Sequence, residues 1–279
     1  MPQSAILADR SVISVTGPES RAFLQGLVSN DMADCAPGCA IYAALLTPQG
    51  KILFDFFVAD AGNSFLIDCA AAREAELLKR LALYRLRSKV EIASRPDLAV
   101  AAAWNGGVLD SEAGALSVYP DPRRAALGSR LIGPRSELER AASGVSAGDY
   151  HARRLELGIP DSADLPPDSV FALDAGLEEL HGVSFKKGCY VGQEVTARMK
   201  HRATARRRFV IADTVGQLPA PGTPVVAAQR ELGTLATGKN GRALALVRLD
   251  RLNEAEEMGY PIMATGQKFH LRRPLWLEL

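Results

Sequence analysis

Lys186-Lys187-Gly188-Cys189-Tyr190-Val191-Gly192-Gln193-Glu194-Val195-Thr196-Ala197-Arg198-Met199-Lys200-His201-Arg202 sets a lone thiol between two glycines in a cationic surround. Gly188 and Gly192 lack Cβ atoms, so the backbone there is free to take positive φ and to bring N–H groups close to a ligand. Cys189 is expected at the apex of that loop. Lysines beside it and a helix starting near Gln193 stabilise a thiolate, which predicts a reactive or metal-accepting cysteine. The competing reading is a tight turn before a basic amphipathic helix, with Cys189 buried in the core as free cysteines usually are.

A chain of 279 residues with 47% apolar content supports a substantial core and two or three domains. Lys plus Arg number 33 against 32 for Asp plus Glu, so any basic site is local rather than a property of the whole surface. Met1 to Asp9 carries no charged or Arg-rich leader, and no run of about eighteen apolar residues occurs. A soluble, cytoplasmic monomer without a membrane partner is the expectation. Cys35, Cys39, Cys69 and Cys189 are too dispersed for a disulfide framework, which predicts reduced thiols. A Cys-x3-Cys-x2-Cys cluster motif starts at Cys35 and Cys39 but fails at Tyr42. His151, His181, His201 and His270 show no metal-ligand spacing, so no protein-only metal site is expected.

Working outward, Ser11 to Val15 reads as a strand, and Phe23, Leu24 and Leu27 recur at helical spacing. Pro48 and Gly50 place a turn between Ile41–Leu46 and Ile52–Val58, a hairpin. Its second strand puts Ile52, Phe54, Phe56 and Val58 on one face and Leu53, Asp55 and Phe57 on the other, leaving Asp55 a carboxylate among apolar neighbours that needs a partner or a task. Ala71–Tyr84 reads as a helix. If Arg85–Val90 is extended, Arg85, Arg87 and Lys89 share one face as a cationic stripe suited to carboxylates or phosphates. Gly233–Lys239 begins like a P-loop, but Asn240 stands where a hydroxyl is needed and a β-hairpin fits better. Gly144–Gly148 imitates a nucleophile elbow without the strand that such an elbow follows. Short apolar runs broken by Pro and Gly from Arg206 onward indicate a small β-barrel or sandwich.

Lys187-Gly188-Cys189-Tyr190-Val191-Gly192-Gln193-Glu194 resembles the signature of the YgfZ family, folate-binding relatives of the glycine-cleavage T-protein that support iron–sulfur enzymes. Leu83–Val90 and Pro160 are similar to the same branch. Gly50–Val58 resembles a T-protein segment with paired catalytic aspartates, but Phe54 stands at the first aspartate position and only Asp55 remains. Phe65–Asp68 and Arg154–Gly158 resemble folate-contacting segments. The resemblance implies an α+β T-protein-like core over residues 1–205, built of two interleaved subdomains, and a C-terminal β-barrel over 206–279.

It further implies a protein that binds tetrahydrofolate or a derivative and uses Cys189 in assembly or repair of iron–sulfur clusters on client enzymes, cluster-dependent tRNA-modifying enzymes among them. Asp68, Glu156 and Glu194 are candidates to accept the pterin N–H donors, since one carboxylate takes two at once, and Asp55 is a further cofactor-binding candidate. Arg85, Arg87, Lys186 and Lys187 are candidates for the folate carboxylates, and Tyr190 and Gln193 complete the site. Each carboxylate, taken singly, also reads as a cap or a surface ion pair. A folate-dependent aminomethyl or one-carbon transferase is the alternative, and Phe54 counts against it. Arg198, Lys200, Arg202, Arg206, Arg207 and Arg208 suggest RNA, but no aromatic platform interleaves them, so nucleic acid is not an expected partner.

Overall fold

The structure is a computed structural model that describes residues 3–107, 114–141, 145–202 and 206–277. The chain opens with β1 (Gln3–Ile6), β2 (Arg10–Thr16), α1 (Ser20–Gln25), β3 (Ile41–Leu46), β4 (Ile52–Asp60) and β5 (Ser64–Ala70). Then follow α2 (Glu74–Arg85), β6 (Glu91–Ser94), β7 (Leu98–Trp104), β8 (Ser117–Pro120), β9 (Ser129–Pro134), α3 (Arg135–Ala141) and α4 (Ala147–Glu156). A long irregular connection, with one 3₁₀ turn at Ser162–Asp164, leads to α5 (Gln193–His201). The last segment comprises β10 (Arg207–Asp213), β11 (Pro224–Ala227), β12 (Arg230–Lys239), β13 (Arg242–Arg248), α6 (Leu249–Glu257), β14 (Ile262–Ala264) and β15 (Gln267–Arg272).

These strands make three β units. One is a five-stranded sheet ordered β3-β4-β5-β2-β6, the second a four-stranded sheet ordered β1-β7-β9-β8, and the third a closed barrel ordered β10-β13-β12-β11-β14-β15. Closure leaves the barrel no open edge. Its interior holds Val210, Val225, Leu235, Val247 and Phe269. The expected α+β architecture with a C-terminal barrel is the one that forms.

The five-stranded sheet is covered on both faces, so its strands read as near-continuous apolar runs rather than alternating ones. On one side Ile13, Phe54, Phe56 and Val58 meet Phe23 and Leu24 of α1 and Leu77 and Leu81 of α2. On the other, Tyr42, Ile52 and Phe57 share a larger core with Val100 and Trp104 of β7, Leu155 of α4, and Phe209 and Leu244 of the barrel. Ile52 was expected beside Phe54. Leu46 pairs with Ile52 while Leu45 pairs with Phe54, so Leu53 is a bulge that turns Ile52 to the opposite face.

Two further expectations change. Arg85–Val90 is not a strand: α2 continues through Arg85, Leu86 then takes φ +46°, and β6 starts only at Glu91. Leu77 and Leu81, one turn apart, hold the helix down, and the three cations follow its end instead of lining a strand face. The P-loop-like string is β12 with its turn, and Asn240 and Gly241 both have positive φ, as a two-residue hairpin loop requires. In the elbow-like string Gly144 lies outside the described residues. Ser146 starts α4, its N–H and Oγ both donating to Asp149 Oδ2, at 2.8 and 2.7 Å.

Candidate functional site

The loop around Cys189 is fixed at both flanks. Gly192 has φ +84°, and a Cβ there would stand 2.5 Å from the Thr47 carbonyl oxygen and 2.9 Å from Leu46 Cβ. Only glycine lets the loop lie on the β3–β4 turn. Gly50, at φ +79°, faces Val195 of α5 from the other side, where an added Cβ would sit 3.2 Å from Val195 Cβ. α5 begins at once, with the Gln193 side-chain oxygen accepting the Tyr190 N–H at 3.2 Å and Thr196 Oγ1 donating to the Gly192 carbonyl at 3.0 Å.

At the other flank Lys187 reaches into the segment after α1. Its Nζ donates to the carbonyl oxygens of Gln25 at 2.7 Å and Asn30 at 2.9 Å, and to that of Val28. Those bonds engage all three ammonium donors. Burial pushes this amine down to about 8 against the pull of Asp31, and the Nζ sits 4.9 Å from the centre of the buried Tyr190 ring. Between these anchors Cys189 is exposed. The buried-core reading of the motif is therefore overturned, and so is the idea that Lys187 offers its charge to the thiol or to a folate carboxylate. Gly188 has neither positive φ nor any atom within 4 Å of an added Cβ, so of the two glycines Gly192 is the structural one.

A second polar cluster lies at the centre, where the two sheets and the barrel meet. Arg10 of β2 donates through Nε to Asp68 Oδ1 at 2.6 Å, and Arg130 of β9 donates to Asp68 Oδ2 at 2.6 and 3.0 Å. Arg123 forks onto Asp121 at 2.8 and 3.0 Å. Arg154 of α4 binds Asp164 at 2.7 Å and Thr237 Oγ1 of β12 at 2.7 Å, tying the barrel to the core. Phe57 lies among three guanidinium groups, at 5.7 Å from Arg10, 4.8 Å from Arg123 and 4.2 Å from Arg130. Asp161 faces Arg10 at 3.4 Å and Arg154 at 3.8 Å; burial would raise its carboxyl, but the two guanidiniums hold it far below the usual range. Burial, then the nearby Asp161, raises Asp55, which accepts the Tyr42 hydroxyl at 3.0 Å.

The expected folate residues do not converge. Asp68 is fully buried and its oxygens are occupied by Arg10 and Arg130, so it is not free for a pterin. Asp55 is 5% exposed and engaged by Tyr42. Glu156 is on the surface with Arg153 at 2.7 Å, and Glu194 is on the surface with Arg198 at 2.9 Å. Arg85 and Arg87 are exposed at and beyond the end of α2, on the far side of the five-stranded sheet from Asp68, while Lys186 lines a cavity of about 410 Å³ with Asn30, His181 and Phe185. Tyr190 and Gln193 serve the loop's own turn. The reading of the sequence missed Arg10, Asp121, Arg123, Arg130, Asp161 and Asp164. The usable signal was the Asp161-x-x-Asp164 pair after Pro160 together with Arg154, the member of its motif that points inward. The basic run after α5's start is mostly paired: Arg198 with Glu194, Lys200 with Glu178, Arg207 with Asp174 and Arg208 with Glu179.

Residues 3–104 match the family described as GCVT N-terminal domain, and residues 206–279 that described as CAF17, C-terminal beta-barrel domain. The glycine cleavage system aminomethyltransferase T from Bartonella henselae superposes with a TM-score of 0.75 over 97% of this chain and 84% of that one, at 18% identity, which shows the fold. Iron-sulfur cluster assembly factor IBA57, mitochondrial, of Homo sapiens is 33% identical over 276 residues, covering 88% of this chain and 77% of that protein. The chain belongs to the IBA57 family. The Mus musculus IBA57 matches equally, 33% identical with the same coverage. The motif at Lys187–Glu194 suggests YgfZ, and the relatives correct that name while keeping the GCVT-like fold on which both readings rest. In this IBA57-family chain the exposed thiol and the sealed arginine–aspartate centre are thus parts of one T-protein-like frame.

Proposed function

We propose that this protein assists assembly or repair of iron–sulfur clusters on client proteins, tRNA-modifying enzymes included, with Cys189 as the group that meets the cluster. One observation carries the reading: Cys189 is exposed on a loop anchored by Lys187 at one end and Gly192 at the other. A thiolate is a ligand for cluster iron once its proton passes to solvent. Among the described residues no three His, Cys, Asp or Glu side chains stand together to hold a metal, so Cys189 contributes one ligand and a partner protein the others. The relatives are named as assembly factors of this kind, which supports the reading. The cytoplasm is kept as the proposed compartment, whereas the named relatives are mitochondrial; four free cysteines fit either reducing compartment, and fractionation decides between them.

Tetrahydrofolate does not fit the residues expected to hold it, because Asp68 is engaged by two arginines and Glu156 and Glu194 face solvent with their own partners. No step of the proposal runs through it. Calorimetric titration is expected to show no tetrahydrofolate affinity that depends on Glu156 or Glu194. Aminomethyl transfer is likewise not proposed: Phe54, at the first aspartate position, is buried under Arg73, whose guanidinium lies 4.1 Å from the ring centre.

The test replaces the gene with a Cys189→Ser version and measures cluster-dependent tRNA thiolation in cells. Loss of thiolation with unchanged thermal stability is the expected result, since an exposed side chain holds no core contacts. Full thiolation removes the role.

A further inference from the structure

α2 buries Leu77 and Leu81 and turns Glu76, Lys79, Arg80 and Leu83 outward, positions that share one face at helical spacing. Leu83 is 62% exposed, and Leu86, just past the helix end, is 86% exposed. Leu86 holds φ +46° and ψ −109°, a conformation that leucine rarely adopts and that keeps its side chain in water. Around the two leucines, Lys79, Arg80, Arg85, Arg87 and Lys89 have no ion pair among the described residues. On α5, by contrast, Arg198 and Lys200 each have a carboxylate. A cavity of about 410 Å³ adjoins this face, lined by Leu53, Phe54, Lys79, Arg80, Leu83 and Pro167. Its floor is set by Arg73, stacked on Phe54 and donating to the Leu53 carbonyl at 2.5 Å.

We propose that this face docks an acidic segment of a partner protein, an apolar side chain of that segment entering the cavity beside Leu53 and Leu83 while its carboxylates meet Lys79 and Arg80. The whole chain carries a net charge of only +1, so Lys79 and Arg80 beside the cavity, without an ion pair among the described residues and followed along the chain by Arg85, Arg87 and Lys89, are a local field whose complement is acidic. A phosphate-bearing ligand alone leaves the two exposed leucines and the cavity unused. Stacked bases need an exposed aromatic ring, and Phe54 is 8% exposed. Glu76 lines the cavity too, but Arg73 pairs with it at 2.7 Å, so it does not cancel Lys79 and Arg80. The cavity lies on β4 immediately after Gly50, the residue against which α5 packs, so a partner docked here sits on the hairpin that carries the Cys189 loop. That the partner is an iron–sulfur protein rests on the function proposed above; the docking itself does not.

The test titrates the full chain with a synthetic glutamate-rich peptide of about twelve residues bearing one central leucine, with phosphatidylserine vesicles and with polyuridylate, following backbone amide shifts. The expected result is peptide-induced shifts within residues 79–89, an affinity reduced about tenfold or more by the double variant Lys79→Glu, Arg80→Glu, and a smaller loss in Leu83→Ala, all with unchanged thermal stability. Equal peptide affinity in the double variant overturns the proposal, and so does tighter binding of vesicles or polyuridylate than of peptide at these residues. The two proposals fail separately. If Cys189→Ser cells keep full tRNA thiolation while the double variant loses the peptide, the docking face stands and the thiol reading falls; the converse pattern removes the docking face alone.

Discussion

In the buried centre every guanidinium has a carboxylate: Arg10 and Arg130 share Asp68, Arg123 forks onto Asp121, and Arg154 holds Asp164. At the Cys189 loop the anchoring cation, Lys187, donates its hydrogen bonds to backbone carbonyls rather than to a carboxylate. The contrast separates two uses of charge. Paired charges in the buried interior fix how the sheets and barrel sit together, and removing one partner leaves the other buried and unmatched. A lone ammonium among carbonyls holds a surface loop in place with less at stake, and it can lose its proton. Under the proposed function the chemistry falls to the loop, while the paired charges of the centre serve architecture.

Asp68→Ala presses hardest on that division. It strands Arg10 and Arg130, so unfolding by urea is expected to show a loss of about 3–5 kcal/mol, while the native variant still exposes Cys189 to alkylation at the wild-type rate. A loss below about 1 kcal/mol breaks the comparison, because the centre is then no more than a set of surface-like pairs. Next in size is the pair of glycine variants. Gly192→Ala forces a side chain into positive φ and against the Thr47 carbonyl, costing about 2 kcal/mol or more, whereas Gly188→Ala stays within about 0.5 kcal/mol. Equal costs would mean that the loop is not held where Gly192 touches the hairpin.

Thiol accessibility sharpens the same contrast. Burial pushes Cys35 and Cys69 up to about 12, while Cys39 and Cys189 are exposed. Timed iodoacetamide labelling at neutral pH, read by mass spectrometry, is expected to modify Cys39 and Cys189 at least about a hundredfold faster than the other two. Labelling of Cys69 in step with Cys189 would show that the sheet opens as readily as the loop.

How much of this was legible depends on the range of the interactions. The β3–β4 hairpin, α5 and the barrel follow from local signals: Pro48 and Gly50, the start at Gln193, the Asn240-Gly241 turn. The exposure of Cys189 was legible too, from two glycines in a polar run. The centre was not, because Arg10 and Asp68 are brought together by strand pairing across 58 positions, and Arg10 and Asp161, which lies in no strand, by tertiary packing across 151. No window of sequence shows such a partner, so Asp68 looked free for a ligand when two arginines had already engaged it. The bulge at Leu53 is similarly hidden, since it is defined only against Leu45 and Leu46.

The smallest expected effect concerns the protonation of Lys187. Burial lowers its amine from an ordinary 10.5 to about 8, so between those values the unfolded chain binds a proton that the folded chain does not. Stability rises with pH wherever the unfolded state binds more protons, so the cost of burying the ammonium is fully present below about pH 8 and is relieved toward 10.5. Lys187→Met has nothing to titrate there. Urea unfolding at either end of the window, for wild type and variant, gives a double difference from which the other titrating lysines and tyrosines cancel, and it is expected to be positive and modest because the group is partly solvated. A zero difference would show that the carbonyls of Gln25, Val28 and Asn30 keep the ammonium charged throughout, making the loop anchor as permanent as the arginine pairs of the centre and erasing the distinction between the two regions.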